Sequence, residues 1–293
     1  MTDKTVVIGI GAQKGGTTFL YYFLKRHPQC AMAAIKEAHY FDHMEMNRSE
    51  YMAGVVQKHR NKYVKETPEA ASMAAPLSVV EMRARIESWA DLLAHEQVDP
   101  AAYLEYLMLG SENAKVVGEV TPAYATLSPQ SFEAMRSVAP KTKFIFIMRD
   151  PISRLWSNLR MRANNRVEGY DKILAHAEGD WAKVQKGGLK GVMWRSDYMK
   201  TLETLKSTIA PENVHYEFYE DLFESGVARV CSFLDIDDVP ASVDTTVNLG
   251  AKIDLPFDLG RQMLDVLAPQ YAYVRDMFGH LPAKWERSVE EYT

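Results

Sequence analysis

Residues Val6-Val7-Ile8-Gly9-Ile10, then Gly11-Ala12-Gln13-Lys14-Gly15-Gly16-Thr17-Thr18, then Phe19-Leu20-Tyr21-Tyr22-Phe23-Leu24 decide the fold class. The first five are β-branched and apolar and end in glycine, the pattern of a short buried strand. Glycines then crowd a turn, and Phe19, Leu20, Tyr22, Phe23 and Leu24 recur at helical spacing until His27-Pro28 stops the helix. A strand, a glycine-rich turn and a helix start together present backbone N–H groups to a phosphate. The template G-x-x-x-x-G-K-[ST] nearly fits from Gly11, but Thr17 stands where its lysine belongs, and the loop's one lysine, Lys14, comes early. An ordinary glycine-rich βα turn is the alternative reading of this segment alone.

Outward from this unit, Lys115 to Val120, Phe144 to Met148 and Val214 to Phe218 read as further strands. Helical patterns separate them: most of 43–110 with breaks near Thr67-Pro68 and Pro76, a helix opened by Ser128-Pro129, and others from about Ile152, over Asp197 to Ile209, Val227 to Leu234 and Leu259 to Phe278. Strands alternating with helices predict an α/β fold: one P-loop-like domain over 1–293, with a central parallel sheet flanked by helices. Helical insertions are expected at 43–110 and 160–195, on one side of the sheet's ligand-binding end. Their aromatic residues include Tyr51, Tyr63, Trp89, Trp181 and Trp194.

With 293 residues, 47% hydrophobic and 25% charged, the chain has ample material for a core, which excludes disordered and disulfide-stapled classes. Lys+Arg 34 against Asp+Glu 39 gives a net charge of -5, so no global basic excess serves nucleic acid and any anion site must be local. The two cysteines, Cys30 and Cys231, have no metal-ligand spacing and suit a reducing compartment. The N-terminus lacks a signal-peptide core and no apolar run reaches 18 residues, so a cytoplasmic protein with no membrane span is expected.

Phe144 to Met148 ends in Arg149-Asp150-Pro151. A magnesium-binding Asp at a strand end would look similar, but an Asp between Arg and Pro reads as a turn. Beyond it Arg154 and Ser157 lie three apart on a helix. Arg149 and Ser157 offer a guanidinium fork and a hydroxyl to a second phosphate.

These segments resemble the sulfotransferases that use 3'-phosphoadenosine-5'-phosphosulfate (PAPS). Gly11 to Thr18 resembles the family's 5'-phosphosulfate loop, and Phe144 to Pro151 with Arg154 and Ser157 resembles its 3'-phosphate motif. Lys36-Glu37-Ala38-His39-Tyr40-Phe41-Asp42 and Gly118-Glu119-Val120-Thr121-Pro122-Ala123-Tyr124 resemble two further motifs of the branch that includes heparan sulfate sulfotransferases and bacterial relatives. The motifs stand in order over 5–160. Past them the likeness is looser, through Ser196-Asp197-Tyr198, Phe218 to Leu222 and the terminal helix with Trp285. Some glycosaminoglycan enzymes carry lysine where this chain has Val120. Asn248-Leu249-Gly250-Ala251-Lys252 is the candidate for the family's terminal basic loop.

The resemblance implies transfer of a sulfuryl group from PAPS to a hydroxyl or amine of a small-molecule or saccharide acceptor, with no metal required. Lys14 would neutralise charge on the leaving phosphate. Gly15, Gly16, Thr17 and Thr18 would hold the 5'-phosphate, and Arg149, Ser157 and Lys252 the rest of the donor. Glu37 is the expected base and His39 its rival. An extended segment there would put both on one face and turn Lys36 away, and an apolar setting would raise the Glu37 pKa. A P-loop kinase or NTPase, or a non-catalytic nucleotide binder on the same fold, are the alternative functions.

Overall fold

The computed structural model describes residues 3–65, 77–240 and 253–293. The expected breaks at Thr67-Pro68 and Pro76, and the loop containing Lys252, lie outside the described residues. In chain order the elements are β1 (Thr5–Gly11), α1 (Thr17–Arg26), β2 (Cys30–Met32), α2 (Tyr40–Met46), α3 (Ser49–Lys65), α4 (Val79–Leu93), α5 (Pro100–Met108) and β3 (Val116–Val120). After a 3-10 turn come α6 (Pro129–Arg136), β4 (Thr142–Met148), α7 (Pro151–Asn164), α8 (Tyr170–Gln185), α9 (Lys190–Trp194) and α10 (Tyr198–Thr208). The chain closes with β5 (Val214–Phe218), a single turn α11 (Tyr219–Asp221), α12 (Val227–Leu234), α13 (Phe257–Phe278) and α14 (Ala283–Tyr292).

The strands form one five-stranded sheet in the order β2-β3-β1-β4-β5, every described pair parallel. Both faces are covered. Val6, Ile8 and Ile10 of β1 with Phe144, Phe146 and Met148 of β4 enter one core, while Val7, Ile145 and Ile147 enter the other. Alternation between two apolar layers explains the unbroken apolar runs in the sequence. The four strands foreseen from the sequence are present within one or two residues. β2 is the addition: three half-buried residues, short and without β-branched side chains, paired to β3 from Cys30 opposite Val116 to Met32 opposite Gly118. The insertion expected over 160–195 is helical, holding the end of α7 and then α8 and α9.

The central strand β1 is followed by excursions to both sides of the sheet, so β1 marks a switch point. In open parallel sheets ligands bind outside the carboxyl ends of strands at such a point. All four functional segments singled out from the sequence emerge there, at the ends of β1, β2, β3 and β4. Trp89 and Trp181 do not face this crevice as acceptor-side aromatics. Both are buried in the core, whereas Tyr51 and Trp194 are exposed.

Candidate active site

The loop after β1 is braced from below. The Ala12 amide donates to the Ile147 carbonyl of β4 at 2.7 Å, and the Gly15 amide to the Ala12 carbonyl at 2.9 Å. A Cβ at Gly15 would come within 2.7 Å of the Ile147 carbonyl oxygen, so this glycine is required by the strand beneath it. Gly16 has φ 91 and would press a Cβ to 2.9 Å from the Tyr219 ring. Lys14 is also left-handed, at φ 72. Gly16 caps α1 with no side-chain acceptor, and the first turn holds no acidic residue. Its first N–H groups therefore have no intrahelical partner and carry the positive end of the helix dipole. Thr17 is buried and Thr18 half-buried at this start. The Gly15 amide is thus already used within the loop, and the open donors lie further along.

Arg149 joins the end of β4 to this loop. Its Nη1 donates to the Lys14 carbonyl at 3.2 Å, and its guanidinium lies 4.7 Å from the centre of the Tyr219 ring. Its backbone is clamped by Tyr198, whose hydroxyl donates to the Arg149 carbonyl at 2.7 Å and accepts from its amide at 3.2 Å. The Nε of Arg149 is buried without a hydrogen-bond partner. Burial, followed by the charges of Arg149, Arg160 and Lys36, lowers the Lys14 pKa. Such a cluster of cations around an uncapped helix start fits a ligand with two anionic groups.

Asp150 does not present itself to a metal. It caps α7, accepting from the Ser153 amide at 2.7 Å through Oδ2 and from the Tyr271 hydroxyl at 2.6 Å through Oδ1. Among the described residues no group of three or more His, Cys, Asp or Glu is arranged to hold a metal ion. Ser157 and Arg154 diverge despite their spacing. Ser157 is half-buried on α7. Arg154 is fully buried, donates to the Ser196 hydroxyl and, at 3.4 Å, to the Val192 carbonyl, and its pKa is pushed down to about 10 by burial. Arg154 therefore secures the segment between α9 and α10.

Across the crevice, the segment after β2 is not extended: Glu37 and His39 both sit in left-handed backbone, at φ 61 and 54. This corrects the alternating geometry expected for Lys36 to His39. Lys36 turns toward Glu37 and pairs with its Oε1, while His39 Nε2 stands 3.6 Å from Glu37 Oε2. His39 Nδ1 bonds the Asp42 carboxylate at 3.0 Å, and Arg48 reaches the same carboxylate at 3.0 Å. Burial pushes the Glu37 pKa up, but the nearby His39 ring and the paired Lys36 ammonium outweigh it and hold it at about 2. Burial likewise opposes the charge on His39, but Asp42 and Glu37 raise its pKa to about 9. The expected rise for Glu37 is therefore reversed, because desolvation is overcome by two cations.

Glu119, placed by its sequence only within a motif, anchors the segment after β2. The buried carboxylate accepts from the Ala38 amide at 3.0 Å, Tyr103 at 2.8 Å, Thr121 at 2.5 Å and Tyr124 at 2.6 Å. Trp89 Nε1 donates to the Ala38 carbonyl at 2.8 Å. The residue between Glu37 and His39 is thus pinned through both its amide and its carbonyl. An acidic residue within an otherwise apolar strand was the available signal.

A model described as "Sulfotransferase family" matches residues 7–240. Over 180 residues the chain is 27% identical to the membrane-associated sulfotransferase kil1 of Dictyostelium discoideum, covering 59% of this chain and 28% of that protein. It therefore spans little more than a quarter of that relative. The fold is shared with a sulfotransferase from Alicyclobacillus acidocaldarius at TM-score 0.61 and 18% identity, covering 98% of this chain and 100% of the other. It is also shared with the sulfotransferase domain of the Synechococcus PCC 7002 olefin synthase, at TM-score 0.52 and 18% identity, covering 99% and 94%.

Proposed function

The chain belongs to the sulfotransferase family, and from that premise we propose that it moves the sulfuryl group of PAPS to a hydroxyl or amine of its acceptor by in-line displacement. The observation that carries this is the meeting of two unlike groups at the strand ends: Lys14, Arg149 and the open α1 amides, and the Glu37–His39–Asp42 chain, whose Lys36 neighbour lies within electrostatic reach of Lys14. PAPS, when bound, supplies the sulfuryl group and a phosphate leaving group. The α1 N–H groups with Thr17 and Thr18 would hold the 5'-phosphate, and Arg149 with Ser157 the 3'-phosphate. Lys14 would meet the charge that grows on the leaving oxygen, the kind of interaction that lowers the barrier more than it tightens binding.

Glu37 would take the acceptor proton. Its low pKa makes it a weak base, which suits a late transfer. An alcohol oxygen becomes strongly acidic as it bonds to sulfur, so an ionised, correctly placed carboxylate suffices. His39, held by Asp42, orients Glu37 and keeps it charged. The reading asks for no metal, because Lys14, Arg149 and the helix start supply the positive charge. The kinase alternative is disfavoured by Asp150, whose two carboxylate oxygens are both engaged.

The acceptor side is assigned to 43–110 and 160–195 within one domain over 1–293. A cytoplasmic location is part of the same reading, supported by two free thiols, both made less reactive by burial, which raises Cys30 to about 12. Among the described residues no helix is long and apolar enough to cross a membrane. The deciding experiment is transfer of labelled sulfate from PAPS to a panel of alcohols, phenols, amines and saccharides, read by mass. Alongside it, thermal-shift titrations compare 3'-phosphoadenosine 5'-phosphate (PAP) with ATP and GTP, with and without magnesium. Preference for ATP with magnesium would refute the assignment.

A further inference from the structure

We propose that the cavity between the donor loop and α9 is an anion subsite of the acceptor, so that the substrate class is an alcohol or phenol bearing a carboxylate or another oxyanion. The inference rests on the sulfotransferase reading and adds the acceptor's charge to it. The cavity holds about 310 Å³ and runs from Gln13 and Asn158 to Arg162, Lys190 and Arg195. Among the described residues its lining includes these three cationic side chains and no carboxylate. For a chain of net charge -5 this is a local inversion of sign.

Two observations place the cavity beside the chemistry, and a third concerns its charge. Gln13, the neighbour of Lys14, accepts from Asn158 Nδ2 at 2.7 Å, so one wall of the cavity is the donor loop itself. Arg195, just after α9, lines the cavity as well. Burial and the Arg48 and Arg162 guanidinium groups lower its pKa, while the Asp42 and Glu37 carboxylates oppose the fall. Arg195 therefore lies within electrostatic reach of the residue assigned as base. Its Nε is buried without a hydrogen-bond partner, so no protein acceptor offsets the guanidinium charge at that edge.

The cations are also held in place. Arg195 Nη1 donates to the Gly191 carbonyl at 2.6 Å, and buried Arg154 secures Val192 and Ser196 on either side of it. Arg162 bonds buried Asp180 at 3.1 Å, but Arg166 and Lys183 bond the same carboxylate at 3.1 and 3.0 Å. One carboxylate thus faces three cations, and positive charge remains for a ligand. Lys190 is exposed at the rim. An acceptor whose hydroxyl meets Glu37 would have its oxyanion drawn toward Arg195, a charge-assisted contact that fixes orientation.

The test uses matched probes on the full chain: 4-hydroxybenzoate, 3-hydroxybutyrate and glucuronate, each against its methyl ester. Protein saturated with PAP is titrated calorimetrically with each probe, and sulfation of the same pairs is followed with labelled PAPS. The acids should bind beside PAP and exceed their esters by about tenfold or more in affinity or kcat/KM. Arg195→Gln should remove that preference, a loss of about 10- to 100-fold for the acids with little change for the esters. Arg195→Lys should restore part of it. PAP affinity should be unchanged in both. Lys190→Glu, an exposed substitution that leaves folding intact, should weaken the acids in the same direction. Esters equal to acids, acids that displace PAP, a preference that survives both Arg195→Gln and Lys190→Glu, or no binding by any pair would each overturn the subsite while PAP binding leaves the sulfotransferase reading intact. Failure of PAP to bind the wild-type protein would instead remove that reading, and the subsite with it.

Discussion

Lys14 and Arg149 touch through one hydrogen bond, from Arg149 Nη1 to the Lys14 carbonyl, yet they should fail differently when removed. Lys14→Ala should lower kcat by about 10²–10³-fold, the range for losing one donor to developing charge, with a much smaller change in PAP affinity by calorimetry. Equal losses would make Lys14 a binding residue only. Arg149→Ala should weaken PAPS by about 1.5–3 kcal/mol, the range for a hydrogen bond to a charged group. Adenosine-5'-phosphosulfate, which lacks the 3'-phosphate, should be nearly unaffected. Similar losses for both donors would remove Arg149 from the 3'-phosphate site. Glu37 and His39 are separated by pH. With Glu37 ionised down to about 2, a carboxylate base gives a level rate between about pH 5 and 8. A histidine base held protonated up to about 9 would give a rate that climbs through that interval. Glu37→Gln should cut turnover by roughly 10²–10⁴-fold and leave PAP binding near wild type.

At the scale of elements, the site depends on how β3 holds the segment after β2. Glu119 lies on β3 and accepts four hydrogen bonds, from the Ala38 amide and from three hydroxyls contributed by α5 and the residues after β3. Glu119→Ala would strand those donors in the core. Each unsatisfied buried group costs about 1–3 kcal/mol, so urea unfolding should show a loss of about 3–5 kcal/mol after partial rearrangement. Glu119→Gln keeps the shape and should recover part of that stability. Its kcat should still fall, because the Ala38 amide then loses its charged acceptor and the Glu37–His39 geometry slackens. A variant with reduced stability and wild-type kcat would show that Glu119 holds the core without positioning the site.

For the whole molecule, the same pair sets part of the pH dependence of stability. The His39 pKa is raised from 6.5 to about 9, so its contribution is complete below pH 6.5 and is lost as pH rises through about 9. The Glu37 pKa is lowered from 4.5 to about 2, so its contribution is complete above pH 4.5 and is lost as pH falls toward about 2. Glu217, held at about 2 against burial by His215 and Arg229, adds to the acid limb. Urea midpoints should thus form a plateau between about pH 4.5 and 6.5, and His39→Asn should flatten the alkaline side. An alkaline limb unchanged in that variant would assign it to other groups. The sequence alone carried the parallel α/β order and the strand–loop–helix at Val6 to Leu24, because apolar periodicity and glycine placement are local and do not depend on what packs nearby. It was silent on β2, a strand of three residues without β-branched side chains, too short for a periodic signal. Nor did it show that Lys36 folds back onto Glu37, that Arg154 is buried while Ser157 is half-exposed, or that Arg195 lines one cavity with Gln13 of the donor loop. Those depend on left-handed turns and on distances between residues far apart in the chain. Coulomb and desolvation energies act over such distances, and only the assembled tertiary structure decides their balance.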